Sequence, residues 1–109
     1  MAMSPEQLAD IHEKELTRRS TKAALDAAVA THNTAVNDFN TALTNWKAAV
    51  EGNANETTRT TLLNAYIAAG VAKNVAEQER TTKGQAASAA EGALNQAVDA
   101  VIVQETPVP

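Results

Sequence analysis

The chain has 109 residues, a net charge of −4, no cysteine, and 24 alanines against 20 Leu, Ile, Val and Phe together. One domain is the expectation for this length, and so few bulky side chains exclude a thick globular core. The missing cysteines remove disulfides, thiolate nucleophiles and Cys-type zinc sites. The charge divides evenly between the two halves, which leaves no basic face for nucleic acid.

Met1-Ala2-Met3-Ser4-Pro5 has neither the charged nor the apolar region of a secretory signal. Ser4-Pro5-Glu6-Gln7 reads as a helix start. Ser4 caps, Pro5 suits the first helical position, and Gln7 completes a capping box. From Pro5 to Val50 there is no glycine and no further proline. A helix that long without internal caps points to a coiled-coil-like element.

Within it runs a ladder with alternating steps of four and three: Leu25, Val29, His32, Val36, Phe39, Leu43, Trp46 and Val50. All but His32 are apolar, and the residues between them are mostly Ala, Thr, Asn, Asp or Lys. Such spacing is the stripe of a helix that packs along another helix.

Glu51-Gly52-Asn53-Ala54-Asn55-Glu56 is the one cluster of turn residues between helical stretches. Gly52 suits the left-handed position that ends a helix. Asn53, with Glu56 three residues on, suits the start of the next. Asn55-Glu56-Thr57 is formally a glycosylation sequon, read here as loop chemistry.

The second helical stretch is less regular. Leu63, Ile67, Val71 and Val75 step by four, which drifts around a helix instead of holding one line. Gly70, Gly84 and Gly92 each weaken a helix interior by up to about 1 kcal/mol, and Thr81-Thr82-Lys83-Gly84 is the expected place for a break. Two prolines, Pro107 and Pro109, close the tail.

Two stretches of near-equal length around one turn give an all-α fold: a long antiparallel helical hairpin, with helices at about 5–50 and 54–104 and a possible break at 81–84. A third helix at 85–104 is the structural alternative. The expected organisation is one hairpin domain over 1–109, with a short tail at 105–109. Folding about Gly52 and Asn53 sets Leu43 against Leu62 and Leu63, and Phe39 against Tyr66 and Ile67, with Val36 near Gly70. It also sets Leu8 and Ile11 against Leu94, Val98 and Val101. Glu15, Arg18 and Lys22 then fall opposite Gly84, Ala87, Ser88 and Glu91.

Chemistry is sparse along this scaffold. His12-Glu13-Lys14-Glu15-Leu16 begins like a helical zinc-protease motif but has Leu16 where the second imidazole is needed. His32 lies on the apolar ladder, too far along the same helix to share a metal with His12. The charged cluster from Glu13 to Lys22 contains i,i+4 pairs, Asp10–Lys14 and Glu15–Arg19, and reads as a solvated face or a docking patch for an acidic surface. No Gly-rich phosphate loop is present, and two long helices supply no rigid pocket for a Ser-His-Asp triad. No enzyme activity, metal or cofactor is therefore expected. Gly84, Ser88 and Gly92, spaced by four among alanines, form a smooth strip for close helix approach, to a neighbouring subunit or to the first helix. Trp46 reads as an anchor near the turn or as a hot spot for a partner.

The chain length and the Trp near a central turn resemble a family of small secreted bacterial helical hairpins with a Trp-x-Gly turn. Here the motif reads Trp46-Lys47-Ala48, and Tyr66 is followed four residues later by Gly70 instead of an acid. The Ala-, Thr- and Asn-rich, Cys-free character of the whole chain is more similar to small accessory structural proteins of tailed-phage virions. That resemblance implies a non-enzymatic virion component of head, collar, tail or fibre, bound to copies of itself or to larger subunits. The alternative is a soluble adaptor, chaperone or secreted module that captures a partner helix; outside a virion the expected location is cytoplasmic. The expected contact residues are the ladder from Leu25 to Val50, the strip Gly84, Ser88 and Gly92, and Leu94, Val98 and Val101. The expected partners are proteins, not nucleic acid or membrane.

Overall fold

The computed structural model describes residues 3–105. It is an all-α helical hairpin of two helices, α1 (Pro5–Glu51) and α2 (Glu56–Glu105). The start of α1 is built as the sequence requires. The Gln7 N–H donates to Ser4 Oγ at 3.1 Å, and the Ser4 N–H donates to Gln7 Oε1 at 2.9 Å. Threonines inside the helices return their hydroxyls to the carbonyl four residues back, as Thr44 does to Asn40 and Thr61 to Thr57. A β-branched polar side chain is thus satisfied without leaving helical geometry.

The turn departs from expectation in detail. The left-handed residue is Asn53, at φ 55°, and no described glycine has positive φ. α1 runs through Glu51, so Gly52 still closes the helix by donating to Ala48 O at 2.9 Å. The Ala54 N–H then donates to Ala49 O at 2.9 Å, and the Asn53 N–H to Val50 O at 3.2 Å. This is the paired pattern of a Schellman ending, with asparagine where glycine is more usual. Because Asn53 is committed to that conformation, the cap of α2 falls to Asn55, whose Oδ1 accepts the Thr58 N–H at 2.8 Å.

The expected break at 81–84 does not occur, and neither does a third helix: α2 is one helix from Glu56 to Glu105. Thr81 Oγ1 donates to Glu77 O at 3.1 Å. Gly84 lies against α1, where an added Cβ would stand 3.8 Å from the Leu25 side chain. Packing holds the helix where propensity alone weakens it. The tail at 106–109, with both terminal prolines, lies outside the described residues.

Contacts divide the chain into two compact units. The turn unit is Ala27–Thr81, and the terminal unit combines the segments up to Asp26 and from Thr82 onward. In the turn unit the inner line of α1 is Ala28, His32, Ala35, Phe39, Ala42, Trp46 and Ala49, buried or half-buried throughout. Opposite stand Leu62, Tyr66, Ala69, Lys73 and Ala76 of α2. Both lines alternate steps of four and three, the spacing of antiparallel helices that share a seam. Ala28 and Ala76 are the buried hydrophobic residues among those described, at 6% and 5% exposure.

Rings fill the space between the alanines. Phe39 and Tyr66 have centroids 5.0 Å apart, and Trp46 stacks on Tyr66 at 6.2 Å and 13°. The Lys73 ammonium sits 4.7 Å from the centre of the Phe39 ring, a cation–π contact. Gly70 lies so close to Phe39 that an added Cβ would stand 3.3 Å from its ring. Ile67, expected against Phe39, instead points outward at 56% exposure.

In the terminal unit the inner line of α2 is Lys83, Ala87, Ala90, Leu94, Ala97 and Val101. α1 presents Gln7, Ile11, Lys14, Arg18, Thr21 and Leu25. Gln7 does double service: its Nε2 donates to Gln104 Oε1 at 2.7 Å. Leu8, expected on this inner side, is 57% exposed.

Candidate functional site

The expected contact residues fall into three environments. Leu25, Val29, His32, Val36, Phe39, Leu43 and Trp46 are half-buried, while Val50 is 41% exposed. The inner line of α1 shares His32, Phe39 and Trp46 with this ladder and adds the buried Ala28 and the half-buried Ala35, Ala42 and Ala49; Val29, Val36 and Leu43, also half-buried, form a shoulder beside it. Sequence reasoning treated those alanines as spacers; they recur every seven residues, as the ladder residues themselves do. Leu94 and Val101 are half-buried, and Val98 is 37% exposed. The strip at Gly84, Ser88 and Gly92 is divided: Gly84 faces Leu25, whereas Ser88 and Gly92 are exposed and Gly92 has nothing within 4 Å of an added Cβ.

One polar atom on the ladder is unsatisfied. His32 Nδ1 is buried without a hydrogen-bond partner. No group of three or more His, Cys, Asp or Glu able to hold a metal exists among the described residues. No helix there is long and apolar enough to cross a membrane.

Charge is concentrated on the first half of α1. Arg18 grips Glu15 with two bonds, Nε to Oε2 at 2.9 Å and a terminal nitrogen to Oε1 at 2.7 Å, and Arg19 Nε adds a third at 3.0 Å. Asp10 pairs with Lys14, and Lys22 with Asp26 at 3.6 Å. The hydrogen bonds from Arg18 hold the Glu15 carboxyl down at about 2, with Arg19 adding to the effect and desolvation opposing it. Glu15 in turn raises the Arg18 guanidinium above its ordinary value, first through that hydrogen bond. Arg18 and Lys22 share an open groove of about 290 Å³ with Leu25, Gly84, Ala87, Ser88 and Glu91. This is the juxtaposition expected from folding at the turn. The arginine is already engaged by Glu15, so the groove carries little free positive field.

The turn unit has a larger groove, about 640 Å³, on one side of the helix pair. Ala30, Thr31, Thr34, Ala35 and Asp38 line it from α1, and Ala68, Ala69, Ala72 and Ala76 from α2. Asp38 is its one charged lining residue. Beside it on α2 stand Ile67, Val71 and Val75, exposed at 56%, 59% and 57%. Sequence reasoning noted that this row drifts from the seam but assigned it no role. Small-residue furrow and bulky exposed row together form an apolar outer surface of the turn unit, an arrangement suited to helix packing.

No protein-family model matches the chain, and no curated protein and no solved structure is significantly similar to it.

Proposed function

We propose that this chain is a non-enzymatic structural or assembly protein, which bundles through its helical faces with copies of itself or with a larger partner. The observation that carries the proposal is the thinness of the interior. Buried apolar residues amount to Ala28 and Ala76 among those described, while Leu8, Ile67, Val71, Val75 and Val103 are each more than half exposed. Ordering a residue costs about 1–2 kcal/mol in backbone entropy alone, and alanine contacts offset little of that. Further burial from association supplies the remainder. The resemblance of this Ala-, Thr- and Asn-rich, Cys-free chain to accessory structural proteins of tailed-phage virions suggests a virion as the setting.

A second reading draws on the 640 Å³ alanine-lined groove, which has room for the apolar face of one partner helix. On that reading the chain is an adaptor, and stoichiometry separates the two. Sedimentation and native mass spectrometry of the full chain with its co-purifying proteins are the test. Multiple symmetric copies are expected for a structural protein and a 1:1 complex for an adaptor. A monomer that is stable, fully helical and indifferent to concentration and partners overturns both.

A further inference from the structure

We propose that Ile67, Val71 and Val75 form a dimerisation ridge, on which a second copy of α2 packs across a two-fold axis near Val71 and Ala72. The proposal rests on the assembly reading above and specifies its first contact. The row's spacing carries the geometry. A seam shared by helices lying nearly antiparallel alternates steps of three and four, as the inner lines of the turn unit do. A row of pure four-steps follows the i±4 ridge of the helix surface, and two such ridges interdigitate when helices cross at about −50°. Leu63 begins the row half-buried at the hairpin seam. Ile67, Val71 and Val75 then carry it out to the exposed face.

The ridge stands beside a furrow. Ala68 and Ala72 form the adjacent row and line the open groove, whose floor reaches the buried Ala76. Gly70 and Asn74 lie on its other side. One helix thus supplies both the ridge and the shallow row a ridge needs, which is the self-complementarity of an isologous contact. Charge points to the same occupant. Near a two-fold axis each residue meets its own copy, so any charge there would repel itself. Between Thr60 and Ala76 the only charged residue of α2 is Lys73, and its ammonium is turned inward over the Phe39 ring. Three ridge residues and their alanine surroundings bury less than the roughly 1,200 Å² of a stable interface. The dimer is therefore a weak one.

The test is sedimentation equilibrium of the full chain at concentrations up to the order of 1 mM, with helicity followed by circular dichroism. The wild-type chain is expected to dimerise, and Val71→Asp to raise the dissociation constant by about tenfold or more with unchanged helicity, because a carboxylate is placed at the axis. Leu16→Asp, at a residue 49% exposed elsewhere on α1, is expected to change nothing. Ala72→Leu adds apolar surface but fills the furrow. It is expected to weaken the dimer, whereas nonspecific adhesion would strengthen it. Because the chain lacks cysteine, Val71→Cys introduces a single thiol and is expected to cross-link into a dimer under mild oxidation much faster than Leu16→Cys. Association that Val71→Asp leaves intact overturns the ridge and spares the assembly reading. Failure to self-associate at any concentration overturns the ridge and withdraws support from self-bundling.

Discussion

The two units use one helical pattern with different side chains. The turn unit interleaves alanines with Phe39, Trp46 and Tyr66 and contains Ala28 and Ala76, the buried hydrophobic residues among those described. The terminal unit has no aromatic residue and sets Gln7, Lys14, Arg18 and Thr21 on the inner line of α1. The ion pairs described above all lie there, within one helix, where such pairs contribute only about 0.2–0.5 kcal/mol each. Periodicity positions the helices in both units, but side-chain size decides how firmly each closes. The turn unit is therefore expected to be the last to open, and hydrogen exchange should show amides near Tyr66 protected well beyond those near Leu94.

The largest mutational effect should fall on that contrast. Tyr66→Ala removes both ring contacts and is expected to cost about 3 kcal/mol in chemical denaturation. Leu94→Ala in the terminal unit should cost roughly half as much; equal losses would break the contrast. Next in size is a gain. His32→Leu replaces a buried nitrogen that has no partner and is expected to stabilise by about 1 kcal/mol, read as a higher denaturation midpoint.

The glycines sharpen the comparison. Gly92→Ala meets nothing within 4 Å and Gly84→Ala only ordinary contact with Leu25, so each should gain up to about 1 kcal/mol of helix propensity. Gly70→Ala should gain less or lose, because its Cβ would press within 3.3 Å of Phe39. Thermal melts of the three variants decide the ranking.

The smallest effect is electrostatic. Glu15 titrates at about 2 against an ordinary 4.5. Its folded value is the lower, so the stabilisation is complete above the ordinary carboxylate range and is lost as pH falls through about 2. Arg18→Ala should return the Glu15 carboxyl towards its ordinary range, as followed by carbon-detected NMR titration.

Much of this architecture is legible in the sequence. The capping box at Ser4 and Gln7, the hairpin, and the facing of Arg18 and Lys22 to Ser88 and Glu91 all follow from local chemistry and a fold at one turn. Three features did not follow. Gly52 and Asn53 both tolerate left-handed backbone, and only the point where the last helical hydrogen bonds close chooses between them. Gly84 weakens a helix in isolation but not one packed beside Leu25. Ala28, Ala35, Ala42 and Ala49 lie on the inner line, yet in sequence an inward alanine is indistinguishable from the exposed alanines between helical positions. Of the candidate contact surface, the ladder's shoulder was readable from its spacing. The outward course of Ile67, Val71 and Val75 was readable only as drift until the seam it departs from had been located.

The exact seven-residue recurrence along α1 has a consequence for length. Excising one repeat from α1 leaves every remaining inward position on its original side, and a matched seven-residue excision from α2 restores the pairing. Excising a single residue instead rotates one arm against its mate by about 100°. The turn unit can therefore be shortened or extended in modular, paired blocks, as a ruler whose divisions are Ala28, Ala35, Ala42 and Ala49.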